Sequence, residues 1–247
     1  MKILTIGDSW TYGTDSSDPV TKSWPAQMAN KYNVEVINLA RGGNSNQRAI
    51  RIGLEEICRD PHYDYIIWPL APGSRTEILK SGKWHQIWPR SNSSQLDKIY
   101  TEFWTPWNDV QITMLLVLQF ALSMKSLGIP LYVTGLSFFP SQYKKEMSWI
   151  NEYRDDFDFN GLGMPLTEWD IGIADLDRKL KSLRAINKII LDIQPDCWFD
   201  VVTDYLSLTE IQLMYGYKIQ NFKGHPDDNG YHALADFFAG KIGLNAS

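Results

Sequence analysis

Cysteine is scarce in this chain of 247 residues: only Cys58 and Cys197 are present, far apart in the sequence. Two cysteines are too few for a disulfide framework, and neither they nor the four histidines have the spacing of metal ligands. We therefore expect two buried thiols, no bound metal and no other cofactor.

Clusters of basic residues are also missing. The chain has 24 Lys and Arg against 29 Asp and Glu, which gives a formal net charge of -5. Nucleic-acid grooves and anionic membrane surfaces attract proteins through clustered Lys and Arg. The sequence therefore argues against a nucleic acid or a membrane as the main partner.

A clean membrane span is lacking as well. One long apolar stretch, residues 110–128, is interrupted by Gln111, Gln119 and Lys125, and a span needs about 20 predominantly apolar residues. Gly128 at its end suits a helix C-cap, so the stretch predicts a buried helix of a soluble protein. The first residues lead straight into a short apolar strand without the pattern of a signal peptide, so we expect no secretion signal.

What the chain does have is a regular alternation of strand and helix patterns. Apolar, β-branched segments predict strands, and amphipathic segments between them predict helices. The predicted strands cover residues 2–7, 34–40, 63–71, 129–139 and 197–202. The predicted helices cover residues 23–33, 46–60, 110–128 and 174–194.

This alternation predicts the α/β class: a three-layer α/β/α sandwich with a mostly parallel sheet and helices on both faces. Repeats, low-complexity segments and credible linkers are absent, so residues 1–247 are expected to form a single domain. Two long irregular insertions are predicted near residues 76–107 and 139–172, and connections of that length are often functional. Ligands of such sheets bind beyond the carboxyl ends of the strands.

Three motifs follow one another along the chain: "GDSWTYG" at residues 7–13, "VINLARGGNSN" at 36–46 and "GHPDDNGYHALADFF" at 224–238. They resemble the first, second and last sequence blocks of the SGNH, or GDSL-type, hydrolases. The resemblance extends over almost the whole chain and implies a flavodoxin-like SGNH hydrolase fold with serine esterase activity. The segment "WPLAPGSRTE" at 68–77 is further similar to versions of this family that are common in bacteriophage genomes.

The resemblance implies a nucleophile at Ser9, a general base at His225 and an oxyanion hole formed by the backbone N–H groups of Ser9 and Gly43. The chemistry is consistent with these roles, because a serine hydroxyl is a poor nucleophile until a base removes its proton. Taken alone, Ser9 would be interpreted as a helix N-cap, and His225 with Gly43 shifts the interpretation to a nucleophile. Asp8 is predicted to hydrogen-bond the loop backbone instead of serving as the triad acid.

The remaining histidines are expected to have other roles. Pro226 and the following "DDNG" predict the start of a terminal helix, and His232 falls inside it, where a surface or packing role is favoured. His62 lies in a turn and His85 in a Trp-rich segment, and both are interpreted as structural or substrate-facing.

One side chain of the family's oxyanion hole is not found. An asparagine normally follows the third strand, whereas this chain has "PLAPGSR" at residues 69–75. Either a residue of that segment or an asparagine of the second motif could donate instead, and loss of one donor typically costs about a hundredfold to a thousandfold in turnover. The candidate donors and substrate-binding residues are Ser74, Arg75, Asn44 and Asn46. The alternative for Arg75 is a salt bridge with Glu77 or with another acid such as Asp8.

The triad acid is not found either. The family usually has an aspartate two or three residues before the histidine, and these positions hold Lys223 and Phe222. Some other acceptor must then hold the imidazole N–H that faces away from Ser9. The candidates are a backbone carbonyl, a water, Asp200, Asp204, Asp227 and Asp228, although Asp227 and Asp228 are favoured as caps of the terminal helix.

Tryptophans are concentrated in residues 83–107, which contain Trp84, Trp88, Trp104 and Trp107. Most tryptophans of a globular chain are simply packed, and exposed ones often lie at interfaces or stack on sugar rings. Packing is the first interpretation, a homo-oligomer or virion assembly interface the second, and a glycan platform the third.

The predicted function is hydrolysis of a small acyl ester, such as an O-acetyl group on a glycan, without a cofactor. The alternative is a decayed site in a glycan-binding or structural virion protein. We expect a cytoplasmic location, or association with the virion if the chain is encoded by a phage.

Overall fold

A computed structural model describes residues 1–71, 75–87, 94–96, 98, 106–135, 185–186, 188–190, 192–193 and 225–244. Several predictions fall outside these residues. They concern Ser74, Trp88, Trp104, Cys197, Asp200, Asp204, the strand at 197–202 and the insertion at 139–172, as well as the side chain of Trp107.

The described elements alternate between strand and helix along most of the chain. The strands are β1 (Lys2–Thr5), β2 (Glu35–Asn38), β3 (Tyr65–Leu70), β4 (Thr76–Lys80), β5 (Lys83–Ile87) and β6 (Leu131–Gly135). The helices are α1 (Ser9–Tyr12), α2 (Pro19–Lys22), α3 (Trp24–Tyr32), α4 (Asn46–Arg59), α5 (Pro106–Leu127) and α6 (Asp228–Lys241).

Four of the strands form a parallel sheet in the order β2-β1-β3-β6. The chain goes from β1 to β2 on one side and then to β3 on the other. The topological switch point therefore lies between β1 and β3, and ligands of open α/β sheets bind at the carboxyl ends of the strands there.

One face of the sheet packs against α4 and α5. Leu4 of β1 and Ile66 of β3 are paired in register and are completely buried against this layer. Trp68 meets Phe120 of α5 edge to face, with 5.5 Å between the ring centroids. Burial of each such aromatic side chain stabilises the fold by about 3 kcal/mol.

The opposite face packs against α3 and α6. Ile3 and Ile67, whose side chains alternate with those of Leu4 and Ile66 along the strands, point into this second core. Trp24 of α3 contacts Phe238 of α6 with 4.4 Å between the ring centroids. Helices on both faces of a parallel sheet confirm the predicted three-layer α/β/α class.

Two predictions at the level of elements need correction. The connection near residues 76–107 is not irregular throughout, because β4 and β5 form an antiparallel hairpin within it. The long helix begins at Pro106 instead of residue 110, but it ends as predicted at Gly128, whose φ of 69° is left-handed. Among the described residues, no helix is both long and apolar enough to cross a membrane.

Candidate active site

Ser9 lies just beyond the carboxyl end of β1, as the first residue of the short helix α1. The turn that leads to it requires glycine at position 7, where φ is 153°. A Cβ at Gly7 would lie 2.6 Å from Thr11 Oγ1 and 3.0 Å from Pro69 O. Ser9 itself is 6% exposed. The close packing of this turn holds the serine at the switch point of the sheet.

The N-cap of α1 is Asp8, not Ser9. The Asp8 Oδ1 atom accepts a hydrogen bond from Trp10 N at 3.1 Å, which confirms the predicted bond between Asp8 and the loop backbone. The carboxylate of Asp8 therefore meets the need for a cap. The hydroxyl of Ser9 is not required for that purpose.

The carboxylate of Asp8 is 1% exposed and forms a salt bridge with Arg75, with 2.9 Å between Oδ2 and Nη1. Burial raises the pKa of Asp8, and the charge of Arg75 and the hydrogen bond from Trp10 N–H offset this only in part. Glu77 pairs with Arg51 instead. Of the two predicted partners of Arg75, the structure therefore selects Asp8.

The second motif forms the neighbouring loop, between β2 and α4. Gly43 has a φ of 75°, which is the left-handed conformation that glycine adopts without steric cost. The side chain of the next residue, Asn44, donates a hydrogen bond from Nδ2 to Gly7 O at 2.8 Å. This bond joins the Gly43 loop to the turn that precedes Ser9.

Asn44 and Asn46 are both 1% exposed and hydrogen-bonded to the framework. Asn44 Oδ1 accepts from Arg48 Nη1 at 2.6 Å. Asn46 forms a pair of hydrogen bonds with the backbone of Ala71, accepting from its N–H and donating to its carbonyl. These bonds give both side chains a structural role at the ends of β1 and β3, and their donation to an oxyanion or a substrate stays a prediction.

His225 lies in the loop before α6, as predicted. Its ring centroid is 6.2 Å from that of Trp10, the residue that follows Ser9. Its Nδ1 atom lies 2.9 Å from Oδ2 of Asp15, which lies outside the three motifs and was not among the predicted partners of the imidazole. The carboxylate beside the imidazole therefore comes from the loop that follows α1, and not from the residues directly before His225.

The aspartates after His225 are engaged elsewhere. Asp227 caps α6 by accepting a hydrogen bond from Gly230 N at 2.8 Å, which is its favoured predicted role. Asp228 accepts hydrogen bonds from the N–H and hydroxyl of Ser17. The prediction that either of them holds the imidazole N–H is therefore wrong. A search that included every acid following the first strand would have contained Asp15.

The other three histidines, His62, His85 and His232, are at least partly exposed. His232 is on the partly exposed face of α6, with Nδ1 2.9 Å from Gln27 Oε1, which agrees with a surface role. His62 and His85 are exposed. In the part of the chain that the structure describes, no group of three or more His, Cys, Asp or Glu side chains could hold a metal ion.

Two further predictions concern exposed residues. Cys58 is exposed, so the expectation of a buried thiol is wrong for this residue. The ring of Trp84 is about half exposed and lies against the guanidinium of Arg51, 4.6 Å from its centroid. Trp84 is thus a surface residue stacked on a cation, not a core residue.

Comparisons with known proteins place this geometry in a known fold. No family profile matches the sequence, and no curated protein does. A solved structure of a protein assigned to the lipolytic G-D-S-L family of Desulfitobacterium hafniense has a TM-score of 0.51 and 13% identity, over 97% of this chain and 98% of that one.

Two other solved structures are similar over a comparable length. The psychrotrophic esterase EstA from a Pseudoalteromonas species has a TM-score of 0.52 and 11% identity, over 98% of this chain and 96% of that chain. The protein TesA has a TM-score of 0.53 and 10% identity, over 98% of both chains. Identities this low establish the fold alone. The fold of this chain is that of the SGNH, or GDSL-type, hydrolases, as its three motifs predicted.

Proposed function

We propose that the protein is a serine ester hydrolase in which Ser9 is the nucleophile and His225 the general base. The observation that carries the proposal is the contact between His225 and Trp10. It brings a histidine from the end of the chain beside the residue that follows Ser9, at the switch point of the sheet. In nucleophilic catalysis by serine, the base that activates the hydroxyl is often a histidine from a distant part of the sequence.

The contacts of the imidazole support this division of roles. Its Nδ1 atom is engaged by Asp15, so Nε2 is the nitrogen available to accept a proton. In the first step, His225 Nε2 takes the proton of the Ser9 hydroxyl while Oγ forms a bond to the ester carbonyl carbon. The tetrahedral intermediate collapses when the imidazolium returns the proton to the leaving alcohol, which leaves an acyl-serine.

The second half of the reaction repeats these steps with water. His225 removes a proton from a water molecule, the hydroxide adds to the acyl-serine, and the proton returns to Ser9 as the acid departs. The backbone N–H groups of Ser9 and Gly43 are proposed to donate to the oxyanion in both halves. The hydrogen bond from Asn44 to Gly7 supports this pairing because it holds the two loops together.

The enclosure of Ser9 supports a small acyl group as the substrate's acid part. Ser9 is only 6% exposed, so an acetyl or another short acyl group can reach its hydroxyl more readily than a bulky group can. We propose that the alcohol part is a glycan hydroxyl. A binding or structural protein with an inactive site is the alternative that the experiment must separate.

The test compares ester hydrolysis by the wild type, Ser9→Ala, His225→Gln and His232→Gln. The substrates are p-nitrophenyl esters of increasing acyl length and an acetylated polysaccharide. We expect the Ser9 and His225 variants to lose at least about a thousandfold in turnover, and the surface variant His232→Gln to stay within about threefold of wild type. We also expect acetate esters to be preferred over long acyl chains. Equal rates in all four proteins would contradict the proposal and favour the binding role.

A further inference from the structure

We propose that Asp15 is the positioning residue for His225, in place of the acid that this fold usually supplies from the loop before the histidine. This inference rests on the proposed function, because it assigns a role in orienting its general base. The observation that carries it is the 2.9 Å contact between Asp15 Oδ2 and His225 Nδ1. The donor in this contact is the imidazole N–H, which leaves Nε2 free to face Ser9.

The loop that carries Asp15 is tied to the start of α6 at two further points. The hydroxyl of Tyr231 donates to Thr14 O at 2.7 Å. The N–H of Ser17 donates to Asp228 Oδ1 at 2.9 Å. These two hydrogen bonds flank Asp15. They hold its loop against α6, in addition to the direct contact between Asp15 and His225.

The backbone of Asp15 is adapted to this place. Its φ is 68°, in the left-handed region that Asp and Asn tolerate better than most other residues except glycine. A left-handed residue turns the chain sharply after α1. The turn directs the loop back toward α6, where His225 lies.

The charges around the contact fit a positioning role. The hydrogen bond from His225 is the largest cause that lowers the pKa of Asp15, so the carboxylate form is favoured. The interaction between the Asp15 carboxylate and a protonated His225 stabilises both groups equally. The protonated imidazole forms when His225 takes the proton of Ser9. The proton remains on the imidazole, and Asp15 is not itself protonated.

Among the described residues, the other titratable groups near this contact include Asp8, Tyr231, Asp227 and Asp228. Asp8 is paired with Arg75. Burial, followed by the charges of Asp15 and Asp8, raises the pKa of Tyr231 far above its usual value, so its hydroxyl stays a neutral donor to Thr14. The side chain of Asp15 is 61% exposed, and solvent screening makes its expected effect smaller than that of a buried triad acid.

The test uses Asp15→Asn, which keeps the size and the left-handed preference of the residue but removes its charge. Asp228→Asn is the matched control, since it weakens the anchor of the same loop without touching His225. We expect Asp15→Asn to lower kcat by about tenfold to a thousandfold with KM changed less than about threefold. We expect Asp228→Asn to stay within about threefold of wild type in kcat.

A loss of kcat in Asp15→Asn that Asp228→Asn does not share separates a positioning role from a purely structural one, because both variants change the same loop. A kcat for Asp15→Asn within twofold of wild type would overturn the proposal.

A second readout does not depend on activity. Long-range 1H–15N spectra report which imidazole nitrogen carries the proton, and a His225→Gln variant assigns the His225 signals. We expect the Nδ1–H tautomer of His225 in the wild type and a mixture of tautomers in Asp15→Asn. The same tautomer in both proteins would overturn the positioning role even if the wild type hydrolyses esters. A change of tautomer in a protein without esterase activity would support the contact while the proposed function fails.

Discussion

Asp8 and Arg75 form the buried ion pair next to Ser9, and their environment decides how stable the turn after β1 is. Asp8 has lost almost all contact with water, and its compensating partners are one backbone N–H and one guanidinium. Removal of one partner of a buried pair leaves an uncompensated charge, which is strongly destabilising. Substitution of Arg75 therefore tests directly whether this ion pair stabilises the turn after β1.

The first prediction concerns Arg75→Met, which keeps an apolar stem but removes the charge. We expect the free energy of unfolding to fall by about 2–4 kcal/mol near neutral pH, because Asp8 then remains buried with a single hydrogen bond. Folding raises the pKa of Asp8, so its charged form opposes folding above its ordinary pKa of 3.8. The loss should therefore be smaller at about pH 5 than at about pH 8, as measured by urea unfolding.

The control for this prediction is the double variant Asp8→Asn with Arg75→Met. An Asn oxygen can still accept from Trp10 N–H, and no buried charge remains, so most of the lost stability should return. A single variant as stable as wild type, or a loss that does not vary with pH, would contradict the role given to the pair.

At the residue scale, the sequence predicted the backbone contact of Asp8, which lies within a recognisable motif. It did not predict Asp15 as a partner of His225, because Asp15 lies outside the motifs. Asp8 bonds the backbone as expected because its partner is two residues away. Asp15 pairs with a residue near the other end of the chain, and no local pattern encodes such a contact. It arises because α6 packs beside the loop that follows α1.

At the scale of elements, the packing of α6 on α3 holds the His225 loop in place. The apolar contact of Trp24 with Phe238 is accompanied at its edge by a polar cluster around Asp236. Asp236 accepts hydrogen bonds from Lys31 Nζ at 2.7 Å and from the hydroxyl of Tyr32 at 2.9 Å. This cluster fixes the two helices relative to each other.

The second prediction is that Asp236→Asn reduces the free energy of unfolding by about 1 kcal/mol near neutral pH. Burial alone would raise the pKa of Asp236, but the hydrogen bonds from Lys31 and Tyr32 outweigh it, and the pKa is lowered from 3.8. The carboxylate therefore contributes stability above the unfolded pKa, and this contribution is lost as the pH falls through the folded pKa.

Urea unfolding of the wild type and Asp236→Asn from about pH 7 to about pH 3 measures this effect. The two curves should converge at the acid end. The exposed Asp192→Asn serves as the control and should change stability by less than about 0.5 kcal/mol at either pH. A gap between wild type and Asp236→Asn that stays constant with pH would show that the cluster does not act through its charge.

Most elements could be predicted from apolar periodicity, but the β4–β5 hairpin was missed. Its turn residues, Ser81 and Gly82, both have positive φ, at 51° and 73°. Two left-handed residues between paired strands are typical of a two-residue hairpin turn. A Ser-Gly pair between short alternating segments was therefore a usable signal, hidden by the polar and Trp-rich composition of the surrounding insertion.

At the scale of the whole molecule, the sheet brings distant motifs to one edge. The carboxyl ends of parallel strands meet at the same edge, and the loops after β1, β2 and β3 are joined there by the bonds of Asn44 to Gly7 and of Asn46 to Ala71. The start of α6, which belongs to the helical layer that contains α3, is hydrogen-bonded to the loop after α1. The order of the motifs could be predicted from the sequence. The hydrogen bonds between their loops could not, because they join residues that only the folded sheet brings together. Assembly into a homo-oligomer or a virion stays a prediction.

An activated nucleophile at Ser9 can be detected directly by covalent labelling. The folded wild type, Ser9→Ala, His225→Gln and His232→Gln are treated with a fluorophosphonate probe and measured by intact mass and peptide mapping. We expect one adduct per wild-type chain, located on Ser9, and none on Ser9→Ala. We expect much slower labelling of His225→Gln and a wild-type rate for His232→Gln. A folded wild type that takes up no probe, or a Ser9→Ala variant that is labelled equally, would show that Ser9 is not the nucleophile.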